Sequence, residues 1–248
     1  MELSGTNVTA TKTNTALVIS AHSADFVWRA GGAIALYAER GWRVEIVCVS
    51  FGERGESAKL WRQPGMTLEC VKAARKDEAL KAAEILGGHV RFFDCGDYPM
   101  RLGDDALYAL VDVYRDVRPA FVLTHSLHDP YNFDHSLVAR FAQEARIVAQ
   151  AHGHKPSVPV IGAPAVFLFE PHQPEQCDWK PQVLLDITSV WHKKAAAFRV
   201  MAAQEHLWEY YERVALQRGV QGARNSNRKM TYAEAYQRVF PEVSDELR

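Results

Sequence analysis

The chain has 248 residues, 48% of them hydrophobic, enough for one large buried core, so a single domain is expected over 16–248. Its 29 Lys and Arg nearly balance its 30 Asp and Glu, which excludes the net field that would draw nucleic acid or an anionic membrane as partner. No apolar run reaches membrane-spanning length. Residues 1–15, rich in Thr and Ser, lack the basic start and apolar centre of a signal peptide, so the expectation is a disordered extension on a soluble, cytoplasmic protein.

The first strand is expected at 16–20, a β-branched apolar run of the kind buried in a parallel sheet. It stops at Ala21-His22-Ser23-Ala24-Asp25, and the spacing of His22 and Asp25 lets an imidazole and a carboxylate converge on one metal ion. A helix follows over 26–40, with an apolar stripe through Val27, Ala30, Ile34 and Ala38 and a stop at Gly41. The second strand, 44–49, runs into the glycine-punctuated loop 50–57, which carries Glu53, Arg54 and Glu56. Right-handed crossover makes the two strands parallel, so their trailing loops share one edge of the sheet.

A long helix is expected over 68–86, closed by Gly87-Gly88, then a strand over 90–93, a helix over 105–117 and a buried strand over 120–124. The segment 125–135 then holds His125, His128, His135, Asp129 and Asp134, titratable groups that a core does not call for. Two ligands from a strand loop and one distant His leave a coordination position open, as in catalytic zinc sites, and on chemistry alone His125, His128 or His135 can be the third. A late strand at 166–169 leads to Glu170-Pro171-His172, where proline fixes the backbone and presents His172. Asp186-Ile187-Thr188 is expected to cap a helix running toward Gln204. The aromatic stretch 207–216 is expected to pack as a helix face on the core or on a second subunit of a homo-oligomer. Cys48, Cys70, Cys95 and Cys177 form no C-x-x-C pair and indicate neither a zinc knuckle nor a disulfide framework.

The segment AHSADFVWRAGG resembles the AHPDDE start of the PIG-L/LmbE family of zinc-dependent N-acetylglucosaminyl deacetylases, and Asp134-His135-Ser136-Leu137-Val138 resembles that family's DHxxV motif. The similarity extends over about 16–240 and includes Gly52 to Ser57, Arg75 to Glu78, Ala203-Gln204 and Tyr232 to Tyr236. It implies an α/β, Rossmann-like, mostly parallel open sheet with helices on both faces, and Zn2+ held by His22, Asp25 and His135.

The departure from that family is informative. Ala24 stands where the family has the carboxylate taken as the general base for deacetylation, and Phe26 replaces the following Glu. A methyl group accepts no proton, and loss of a positioned base removes about 10²–10⁴ in rate. The variant AHSADF, with FGERGES and FEPHQPE, is similar to the hydratase branch of the superfamily. That implies reversible water addition to the carbon–carbon double bond of an enolisable oxo-tricarboxylate, in aromatic (gallate) catabolism. Glu56 and His172 are the expected proton-transfer residues, their assignment as acid and base left open. Arg29, Arg54 and Arg75 are the expected partners of the polycarboxylate substrate. The alternatives are an N-acetyl-sugar deacetylase or amidohydrolase with another group as base, and a non-catalytic metal-binding scaffold.

Overall fold

The computed structural model describes residues 14–246. Seven strands form one sheet in the order β3-β2-β1-β4-β5-β7-β6. They are β1 (Thr15–Ser20), β2 (Arg43–Cys48), β3 (His89–Phe92), β4 (Phe121–Thr124), β5 (Ala165–Phe169), β6 (Val183–Asp186) and β7 (Ala233–Arg238). The first five in spatial order run parallel, and β7 is antiparallel to both its neighbours.

Strand β1 is buried along its whole length because both of its faces are covered. Ala16 and Val18 join a core cluster with helices α1 (Asp25–Glu39), α3 (Leu68–Leu86) and α6 (Trp191–Val200). Leu17 and Ile19 point the other way, into a cluster with α4 (Asp104–Val117) and α5 (Phe133–Gln150). This is the two-sided burial that a β-branched, non-alternating run encodes.

Chain order reverses between β1 and β4, since β2 and β3 lie to one side of β1 while β4 and β5 lie to the other. The loops leaving the carboxyl ends of β1 and β4 therefore separate and open a crevice. Val18 pairs in register with Ile46 of β2 and Leu123 of β4, which brings the exit loops at 21–24, 49–57 and 125–132 together above the sheet.

Several expectations need adjustment. The extension expected at 1–15 lies up to residue 13 outside the described residues, and Thr15 already belongs to β1. The single helix expected from 186 toward Gln204 is instead β6, a 3-10 turn at Thr188–Val190, α6, and a second 3-10 segment at Ala202–Leu207 in which Gln204 is non-helical (φ −126°, ψ 36°). The aromatic helix is longer than expected, α7 (Trp208–Arg224), and turns Tyr211 and Trp208 onto the core. Helix α3 has the bounds read from the sequence, and Gly87 caps it at φ +78°, a left-handed conformation that favours glycine. Among the described residues no helix is long and apolar enough to cross a membrane.

Candidate metal centre and adjoining cavity

His22 leaves the end of β1 and Asp25 opens α1, and the turn between them is closed by the His22 backbone N–H donating to Asp25 Oδ2 at 2.9 Å. The β2 exit loop folds over this turn. Ser50 Oγ donates to the Ala21 carbonyl, and Gly52 takes φ +69° where a Cβ would meet the His22 Cβ at 3.1 Å. The positive φ favours glycine and a Cβ there would be tight against His22, so the loop passes close and then delivers Glu56. The first residues of α5 deliver His135 from the opposite side.

Ligand atoms of His22, Asp25, Glu56 and His135 all lie within 4.8 Å of one another. His22 Nδ1 is 3.1 Å from Glu56 Oε1 and 3.2 Å from Asp25 Oδ2, and His135 Nε2 is 3.4 Å from Asp25 Oδ1. Yet His22 Nδ1 and His135 Nε2, both buried, make no aligned hydrogen bond. Two orphaned imidazole nitrogens facing two carboxylates fit a divalent cation with mixed N and O ligands. The other ring nitrogens are held from behind: His22 Nε2 lies 3.3 Å from Asp134 Oδ2, and His135 Nδ1 lies 2.9 Å from Asp129 Oδ2. Such carboxylate–histidine pairs fix the tautomer and aim the ligand nitrogen.

The electrostatics match. Burial opposes a charged His22, but Glu56, Asp134 and Asp25 outweigh it and hold its pKa well above the ordinary value. Burial likewise opposes the charge on Glu56, and His22 overcomes it, so the carboxylate titrates below its usual range.

The structure separates the three histidines that chemistry alone leaves equivalent. His125 Nε2 accepts the Ala21 N–H at 2.9 Å, and burial with His135 beside it pushes its pKa down to about 3. Its ring stacks on His135 at 4.2 Å, a neutral buttress with its lone pair already used. His128 is exposed beside Asp178. Ala24 and Phe26, at the departures from the family motif, are fully buried in the apolar core.

A cleft of about 190 Å3 opens beside the cluster, lined among others by Arg29, Glu56, His135, His172, Asn132 and Gln204. Of the three candidate arginines only Arg29 faces it. Its Nη1 donates to the Glu170 carbonyl at 2.7 Å, and its buried Nε lies 3.5 Å from Asp25 Oδ1 in an ion pair. Arg54 turns away to Glu53 and the Asp97 carbonyl. Arg75, fully buried, donates to Glu78 at 2.6 Å and to Gln204 Oε1 at 2.8 Å, so its guanidinium is consumed inside the protein. Neither guanidinium lines this cleft; these two cations hold loops. His172 stacks on Tyr210 at 4.1 Å, its carbonyl accepts the Tyr210 hydroxyl, and burial with Arg29 nearby keeps its pKa below the ordinary imidazole value.

The PIG-L family, GlcNAc-PI de-N-acetylase, matches residues 17–146, a span that holds all four clustered residues. The 4-oxalmesaconate hydratase of Pseudomonas putida KT2440 is 64% identical over 241 residues, covering 96% of this chain and 93% of that protein. The crystal structure of GalB, the 4-carboxy-2-hydroxymuconate hydratase from Pseudomonas putida KT2440, superposes with a TM-score of 0.93 at 64% identity, covering 95% of this chain and all of that one. The N,N'-diacetylchitobiose deacetylase of Pyrococcus horikoshii, at 21% identity and a TM-score of 0.76 over 92% of this chain and 84% of its own, shares the fold.

Proposed function

We propose, starting from the fact that the chain belongs to the PIG-L (GlcNAc-PI de-N-acetylase) family, that it is a zinc-dependent hydratase forming a single catalytic domain over 16–248. It adds water to 4-oxalomesaconate to give 4-carboxy-4-hydroxy-2-oxoadipate in gallate catabolism. The observation that carries this reading is the buried Ala24 methyl at the position of the family's deacetylation base, beside a complete ligand cluster. The similarity to two hydratases along nearly the whole chain supports it.

His22, Asp25 and His135 would hold the zinc, with Glu56 within reach as a further ligand or as a base. When bound, the ion supplies a Lewis acid that offsets negative charge developing on an oxygen of the substrate. The protein's own groups do the rest. Arg29, which lines the cleft, offers its guanidinium to a substrate carboxylate. Glu56, ionised at neutral pH, accepts a proton from water as the oxygen bonds to the fully substituted alkene carbon. The neighbouring carbon gains a proton, so one molecule of water is added in full. His172 gives that proton from its imidazolium form in hydration and takes it back as the neutral ring, the form its lowered pKa favours, in dehydration.

Four unpaired cysteines support a cytoplasmic setting. The test is to follow the loss of the conjugated chromophore when zinc-loaded protein meets 4-oxalomesaconate. Steady loss with saturation is expected; no loss at any protein concentration overturns the reading.

A further inference from the structure

Asn132 occupies the N-cap position of α5, with extended backbone (φ −147°, ψ 98°). An asparagine there ordinarily turns its side-chain oxygen onto the free N–H groups of its own helix. This one makes no capping bond. Its amide reaches out of the helix instead, and Nδ2 lies 3.5 Å from Glu56 Oε1. That contact fixes which way the amide points, because the reversed orientation would set its oxygen against the carboxylate. Oδ1 is therefore the atom left over, and it is buried without any hydrogen-bond partner. Asn132 and Glu56 line the same cleft as Arg29 and His172.

An unpaired acceptor beside a carboxylate, on two residues that line one cleft, is a receiver for a molecule with two hydrogens to donate. We propose that Asn132 is a catalytic residue that orients the attacking water, an inference that rests on the hydratase reading. One water hydrogen is donated to Glu56 and the other to Asn132 Oδ1, which leaves an oxygen lone pair directed at the alkene. In the step itself the O–H bond toward Glu56 breaks, its proton goes to the carboxylate, and the oxygen bonds to carbon. The hydrogen held by Asn132 stays on the new hydroxyl. In the dehydration direction the same oxygen accepts from the departing hydroxyl, so both directions depend on it. The helix forgoes a side-chain cap, and the side chain is spent on the cleft.

The test uses Asn132→Ala and Asn132→Ser in the full-length, zinc-loaded protein, with kcat and KM on 4-oxalomesaconate, metal content and Tm measured together. Serine is itself a favoured N-cap, so that variant keeps the helix start sound whatever alanine does. Both variants are expected to lose about 10²-fold in kcat, the scale of one positioned group, with KM changed by less than about threefold. Zinc content is expected to stay at the wild-type level, and Tm not to fall, because no cap is lost. Wild-type kcat in both variants overturns the proposal, as does a loss that tracks zinc or Tm, which makes the residue structural. An inactive wild type removes the hydratase reading first, and this proposal with it.

Discussion

Asp134 Oδ2 lies 3.3 Å from His22 Nε2, and the two oxygens of the same carboxylate accept the backbone N–H groups of Tyr98 and Met100 at 3.1 Å each. One side chain thus ties the 98–100 loop to the back of a candidate metal ligand. It leaves His22 Nδ1 as the nitrogen that faces Asp25 and Glu56.

Asp134→Asn is therefore expected to weaken zinc binding by about 10- to 100-fold while preserving the fold, the usual cost of removing a carboxylate behind a ligating histidine. Competition with a chelator of known affinity measures it. Unchanged affinity would show that His22 is not held from behind in the way the distances describe.

Zinc binding should release protons. In the metal-free protein the His22 pKa is raised, so the imidazole is charged at pH 7, and only the neutral ring is a ligand. Binding must expel that proton, so affinity rises with pH up to the raised pKa and falls by up to about tenfold for each pH unit below it. Calorimetry in buffers of different ionisation enthalpy should find close to one proton released per zinc. No proton release would place the metal elsewhere.

Arg75 should matter for stability and not for substrate affinity. It is fully buried, and its removal strands the Glu78 carboxylate, whose other oxygen accepts the Ala203 N–H at 2.8 Å. Breaking one half of such a buried pair costs about 3–5 kcal/mol. Arg75→Met should lower the denaturation midpoint accordingly, and Arg75→Met with Glu78→Leu should recover part of the loss. A stable Arg75→Met variant with a raised KM would return this arginine to the substrate.

Glu56→Ala and His172→Ala should each lower kcat by about 10²–10⁴. They should differ in zinc content, which His172→Ala retains, since His172 stands outside the cluster. Because burial and Arg29 lower its pKa, His172 should contribute an acid limb to the dehydration rate, where the neutral ring is needed, and an alkaline limb to the hydration rate, where the imidazolium is needed, both below the ordinary histidine range. Wild-type turnover in His172→Ala would remove it from the mechanism.

The strand ends were legible because buried parallel strands are runs of Val, Ile and Leu that stop abruptly, and His22, Asp25 and the 125–135 segment sit just past such stops. Strand β7, Ala-Glu-Ala-Tyr-Gln-Arg, has no such run. Its Glu234 is buried because Tyr236 on the same strand, and Lys194 and the Gly32 and Ala33 amides from distant parts of the chain, surround it. The partners of Arg75 are hidden in the sequence in the same way: a guanidinium near a motif looks alike whether it faces a cleft or Glu78. The choice of His135 over His125 turns on one backbone N–H, that of Ala21, which no spacing rule encodes. Asn132 is a residue type common at helix starts, and only its missing capping bond in the structure sets it apart.

The central claim is tested most directly by running the zinc-loaded protein on 4-oxalomesaconate in water enriched in heavy oxygen and weighing the product. A hydratase gives 4-carboxy-4-hydroxy-2-oxoadipate with one heavy oxygen in its tertiary hydroxyl, and the same preparation releases no acetate from N-acetylglucosaminides. Acetate release without labelled hydroxy acid would contradict the account, because it would mean that the buried Ala24 has been replaced in function by another base and that the ancestral amide hydrolysis persists.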